Sequence, residues 1–118
     1  MKKRTVFNIL SELGWEIEKD GGNTYTLHQF SNAGQDFAIT INGKNAYELI
    51  NSIYNCYENF DVSYETYLWL DNTGHGKNGA LYDMEDILED MKWCENMIYE
   101  SYKKLALEQK SYYHAATW

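Results

Sequence analysis

The sequence predicts an α+β fold: one domain with a short N-terminal helix, a three-stranded antiparallel meander, and two or three helices packed on the sheet. Three observations predict it. Apolar residues recur at helical spacing near both ends, Val6, Ile9, Leu10 and Leu13 early and Met84, Ile87, Leu88, Met91, Cys94 and Ile98 late. Between them, three stretches alternate apolar and polar residues, separated by Gly21-Gly22 and Ser31-Asn32-Ala33-Gly34. The strands come as a block before the later helices, the order of an antiparallel sheet covered on one face, with no repeat or domain boundary.

The elements follow in turn. Thr5 to Leu13 forms the first helix, and Gly14 is placed to end it. Trp15 to Asp20 sets Trp15 and Ile17 against Glu16 and Glu18, and Gly21-Gly22 supplies the hairpin turn. Asn23 to Phe30 places Tyr25, Leu27 and Gln29 opposite Thr24, Thr26 and His28. Asp36 to Ile41 puts Phe37, Ile39 and Ile41 on one face, and Asn42-Gly43 closes the meander. Asn45 is positioned to cap a helix reaching Asn59, with Ala46, Leu49, Ile50, Ile53, Tyr54 and Tyr57 as its apolar stripe. Phe60-Asp61-Val62 breaks the pattern. Ser63, three residues before Thr66, can cap a third helix through Leu70; Val62, Tyr64, Tyr67 and Trp69 equally suit a strand. Asp71 to Ala80 reads as a Gly-rich loop. The last helix begins near Asp83 and runs to Gln109, and residues 111–118 read as a frayed tail.

Composition bounds the function. A chain of 118 residues with 44% hydrophobic content can build one core without disulfides or a structural metal. Eleven Tyr and four Trp suit half-buried surfaces, and the absence of Pro favours helices and hairpins. The formal net charge is −8, and it is localised: Asn45 to Tyr102 holds twelve acids and two bases. Phosphate neutralisation needs clustered Lys and Arg, so direct nucleic-acid binding is not expected. Lys2-Lys3-Arg4 is the one basic cluster and reads as a solubilising start to the first helix. No apolar run is long enough to span a membrane, and Asn8, Ser11 and Glu12 interrupt any signal-peptide core. The expectation is a cytoplasmic protein whose Cys56 and Cys94 are reduced thiols on apolar helix faces.

The segment from Asp83 to Glu100 carries seven acids and one base, Lys92. At about 100° per residue its apolar stripe continues into Tyr102 and Leu105, while Asp86, Glu89, Asp90 and Glu100 fall opposite. The acids at Asp83, Glu85 and Asp86 suit a helix N-terminus, which does not account for those further along. Trp93 projects among the carboxylates, and Met97 lies one turn beyond it. An aromatic anchor ringed by charge is a common design for a binding hot spot. The alternative is that the tail, through Tyr112, Tyr113 and Trp118, folds over Trp93.

Chemistry is sparse elsewhere. Gly74-His75-Gly76-Lys77-Asn78-Gly79 matches G-x-G-x-x-G in form, yet it lacks the preceding parallel βαβ context that a dinucleotide site requires. As a loop, it can present His75 and Lys77 to a partner. A metal site using His75 with Asp71 or Asp83 is sterically possible, with zinc the ion that best suits His. The expectation is nevertheless no cofactor. No Ser/His/Asp or Cys/His arrangement is legible, and the expectation is a protein that is not an enzyme.

Phe60-Asp61-Val62, Tyr67-Leu68-Trp69-Leu70-Asp71, the run Gly74 to Ala80 and the acidic helix that follows resemble small proteins of phages and mobile elements, among them anti-restriction and anti-CRISPR inhibitors. The resemblance covers roughly residues 60 to 105. It implies an inhibitor that binds a host-defence nuclease, most concretely a type II CRISPR effector, through an acidic surface where DNA would lie. Two other readings accompany it: a self-associating module of a mobile element, so a homodimer in place of a monomer, or a small zinc-binding structural protein.

Overall fold

Glycines at positive φ set the first boundaries of the chain. In the computed structural model the elements are α1 (Lys3–Glu12), β1 (Glu16–Gly21), β2 (Thr24–Phe30), β3 (Asp36–Asn42), α2 (Ala46–Glu58), α3 (Val62–Thr73) and α4 (Met84–Ala116). The structure describes residues 1–73 and 84–116, with side chains for 1–69 and 84–111. Gly14, at φ 98°, ends α1 as expected. Its N–H donates to the Ser11 carbonyl and the Trp15 N–H reaches back to Leu10, the paired bonds of a Schellman stop. Gly22, at φ 58°, turns the first hairpin, and the register slips between Lys19 and Gly21. Gly34, at φ 89°, completes the second turn.

The sheet is antiparallel with order β1-β2-β3. Leu27 pairs with Ile17 on one side and Ile39 on the other. Strand alternation gives it one apolar face, with Tyr25, Leu27, Phe37, Ile39 and Ile41 buried, while Asp36, Ala38 and Thr40 are exposed. Helices gather on the apolar face. Val6, Ile9 and Leu10 of α1 and Leu49, Ile50 and Ile53 of α2 join Trp15 and the sheet residues in one core. Asn45 caps α2 as expected, its Oδ1 accepting the Glu48 N–H at 2.9 Å, while Glu48 Oε1 accepts the Lys44 N–H at 2.8 Å.

Two expectations are corrected at α3. Residues 62–73 are helical, which settles the choice between helix and strand and moves Asp71 to Thr73 out of the expected loop. The cap is Asp61, whose Oδ1 accepts the Tyr64 N–H at 3.1 Å, in place of Ser63. An ionised carboxylate at the N-cap also meets the positive end of the helix dipole, which a Ser hydroxyl does not. The expected tail is also corrected: α4 continues without a break through Ala116.

α4 lies across the assembly. Its 33 residues span about 50 Å at about 1.5 Å each, close to the molecule's 55 Å length. Among its described side chains Ile87, Cys94, Ile98 and Leu105 are the buried apolar ones. Aromatic rings bind it to α2: Tyr102 stacks on Tyr54 at 4.7 Å and Tyr99 meets Tyr57 at 4.9 Å. Near its middle the indole N–H of Trp15 donates to Ser101 Oγ at 2.9 Å, both groups buried. That hydroxyl in turn donates to the Met97 carbonyl at 2.8 Å.

Candidate functional site

The acidic side of α4 is narrower than its sequence implies. Asp86, Glu89 and Glu100 are exposed as expected, whereas Asp90 is buried at 5% exposure. Its carboxylate accepts the Ser31 hydroxyl at 2.7 Å and the Ala33 N–H at 2.9 Å, tying α4 to the turn between β2 and β3. Ser31 Oγ also accepts the Gln35 N–H at 3.0 Å, so the turn is organised around this one carboxylate. The physical reason is rotation. Met84 and Leu88 draw the expected stripe away from Asp90, yet Met84 is exposed and Leu88 only half-buried. Asp90 stands about 60° round the helix from Ile87, on the side where the turn packs.

Trp93 is half-buried and touches the core; of the tail residues expected over it, Trp118 lies outside the described residues. Tyr112 and Tyr113 lie on α4 itself, about 29 Å along the axis at about 1.5 Å per residue. The neighbour is the β2–β3 turn. Trp93, Asp86, Glu89, Asp90 and Lys92 line a hollow of about 420 Å³ with Asn32 and Ala33. Four of the expected partner-binding residues, Asp86, Glu89, Asp90 and Trp93, thus meet at one place. Asn32 and Ala33 were missed; the signal available was the Ser31–Gly34 turn, read only as a connection.

Met97 and Glu100 do not line this hollow. Met97 is half-buried against the core, with its sulfur 3.9 Å from Ser101 Oγ. Glu100 pairs with Lys103 at 3.5 Å, and Glu89 pairs with Lys92 at 3.6 Å. Both pairs are exposed, so they soften the local field without neutralising it. A second acidic group, Glu58, Asp61 and Glu95, surrounds another hollow on the far side of Lys92. Lys92 therefore stands between two sets of carboxylates, which linear spacing alone does not reveal.

The side chains of His75, Lys77, Asp71 and Asp83 lie outside the described residues, and with them the expected loop contact and metal set. Among the described residues no group of three His, Cys, Asp or Glu is placed to hold an ion. Cys56 and Cys94 are free thiols. Burial raises the Cys56 thiol above its ordinary value, and burial, with help from Asp90 and Glu65, pushes Cys94 up to about 12. No described helix is long and apolar enough to cross a membrane. Comparison of the chain with protein-family models, curated proteins and solved structures yields no match.

The hollow can do one thing well chemically. A half-buried indole beside two exposed carboxylates, one of them also paired with Lys92, suits a guanidinium or ammonium group, whose N–H groups meet the acids.

Proposed function

We propose that the protein acts by binding, without catalysis or a cofactor, as an inhibitor of a nucleic-acid-processing host-defence protein in the bacterial cytoplasm. The most concrete partner is a type II CRISPR effector nuclease, blocked in DNA binding or loading. The observation that carries the reading is the meeting of Trp93 with Asp86 and Glu89 around one hollow. Such a nuclease lines its DNA groove with Arg and Lys, and the hollow accepts one of those side chains as an anchor. The exposed acids along α4 then take the neighbouring bases in place of phosphates. Electrostatic steering makes association fast and salt-sensitive.

The test is DNA cleavage by purified effector nuclease with increasing amounts of the protein. Asp86→Lys with Glu89→Lys, and separately Trp93→Ala, are expected to weaken inhibition by about 10-fold or more, the loss typical of a hot spot. Full inhibition by all variants excludes this surface, and absence of inhibition by the unaltered protein excludes the partner.

A further inference from the structure

β3 is an edge strand, and hydrogen bonds at its two ends show which of its backbone groups face outward. The Gly43 N–H donates to the Asn23 carbonyl and the Ser31 N–H to the Gln35 carbonyl. Odd-numbered residues of β3 therefore make the ladder to β2, and Asp36, Ala38, Thr40 and Asn42 point their N–H and C=O groups away from it. α2 covers the far end of that edge. The Cys56 thiol donates to the Thr40 carbonyl at 3.4 Å, and Ser52 Oγ accepts the Asn42 N–H at 3.0 Å. At Asp36 and Ala38 the outward groups have no hydrogen-bond partner among the described residues.

A cleft of about 760 Å³ runs along this stretch. One wall is the five consecutive residues from Asp36 to Thr40, and the facing wall includes Phe60, Glu65, Leu68, Trp69 and Met91. Among the described residues the charged lining is Asp36 and Glu65, both acids. Glu65 is half-buried, and burial followed by the nearby Asp61 raises its carboxyl above the ordinary value. An edge whose Asp36 and Ala38 groups have no partner among the described residues, beside an apolar trough, is the setting in which extended peptides join a sheet.

We propose that the Asp36–Thr40 edge takes up an extended peptide of a partner protein as a fourth strand, with an apolar peptide side chain in the cleft and basic residues beside Asp36 and Glu65. Charge selects this occupant over a second copy of the chain: each copy brings the acids Asp36 and Glu65 to the edge and, among the described lining residues, no base to meet them. The inference concerns residues apart from the Trp93 hollow and stands whatever partner that hollow takes.

The test uses the whole chain, isotope-labelled for NMR, and the peptide acetyl-Lys-Val-Phe-Val-Lys-amide. At about millimolar peptide the Asp36 and Ala38 amides are expected to shift saturably and to exchange about 10-fold more slowly. Two N-methylated versions, one for each alternate set of amides, separate backbone pairing from simple apolar contact. One is expected to bind like the parent and the other to fail. Replacing both Lys by Glu is expected to weaken binding about 10-fold, and Glu65→Lys to reverse that preference. No response at Ala38, equal binding of both N-methylated peptides, or indifference to Glu65→Lys overturns the proposal. So does Ala38 protection that grows with protein concentration in the absence of peptide, which assigns the edge to a second copy.

Discussion

At the scale of single residues, Asp90 and Cys94 show how the interior of α4 uses polar atoms. A buried carboxylate costs free energy unless its oxygens are bonded, and Ser31 and Ala33 supply two bonds to Asp90. Asp90→Ala strands both donors and is expected to lower unfolding free energy by about 2–3 kcal/mol in urea titrations. Cys94 lies one turn on, with its thiol pushed to about 12 by burial first and the Asp90 and Glu65 charges next. It is expected to resist iodoacetamide at pH 8 in the folded protein and to react once urea unfolds it. The folded value lies above the ordinary 9.0, so the stability that this thiol contributes is fully present below pH 9 and is lost between pH 9 and about 12. An unfolding titration in that window with Cys94→Ala as reference checks the sign: the unaltered protein should lose more stability than the variant. Sequence alone placed Cys94 on the apolar stripe, and it is buried there. Asp90 was not legible, because what buries it is a turn nearly sixty residues earlier.

At the scale of elements, local chemistry and tertiary packing divide the credit. The stop at Gly14, the turn at Gly22 and the cap at Asn45 depend on backbone sign or on a side chain reaching its own neighbours, and all three were readable from the sequence. Asn45→Ala is expected to cost about 1 kcal/mol by thermal or urea unfolding, with Asn45→Asp nearly neutral. α3 was ambiguous for a physical reason. Its aromatic and β-branched residues have weak intrinsic preference for helix, and its stable form depends on packing against α4 and on the Asp61 cap. The end of α4 was misplaced because Ser111 and the tyrosines after it are poorer helix formers than the residues before them, yet the helix continues through them.

At the scale of the whole molecule, charge and shape combine. The −8 net charge sits largely on the helical half, and α4 presents part of it along a rod about 50 Å long. If the acidic side of that rod is the contact, raising salt from about 0.05 to 0.5 M should slow association with a basic partner at least about 10-fold. Dissociation should change much less, and surface plasmon resonance separates the two rates. The Asp90 contact also has a kinetic consequence for the chain as a whole. Ser31 and Asp90 are 59 residues apart, so joining them closes a long loop, which chain entropy opposes until α2 and α3 bring α4 alongside the sheet. The bond should therefore form after the folding barrier has been crossed. In stopped-flow experiments Asp90→Asn is expected to accelerate unfolding while leaving the refolding rate almost unchanged, with a φ-value below about 0.3. The same carboxylate that holds the turn against the helix thus governs how long the native state lasts more than how fast it is reached.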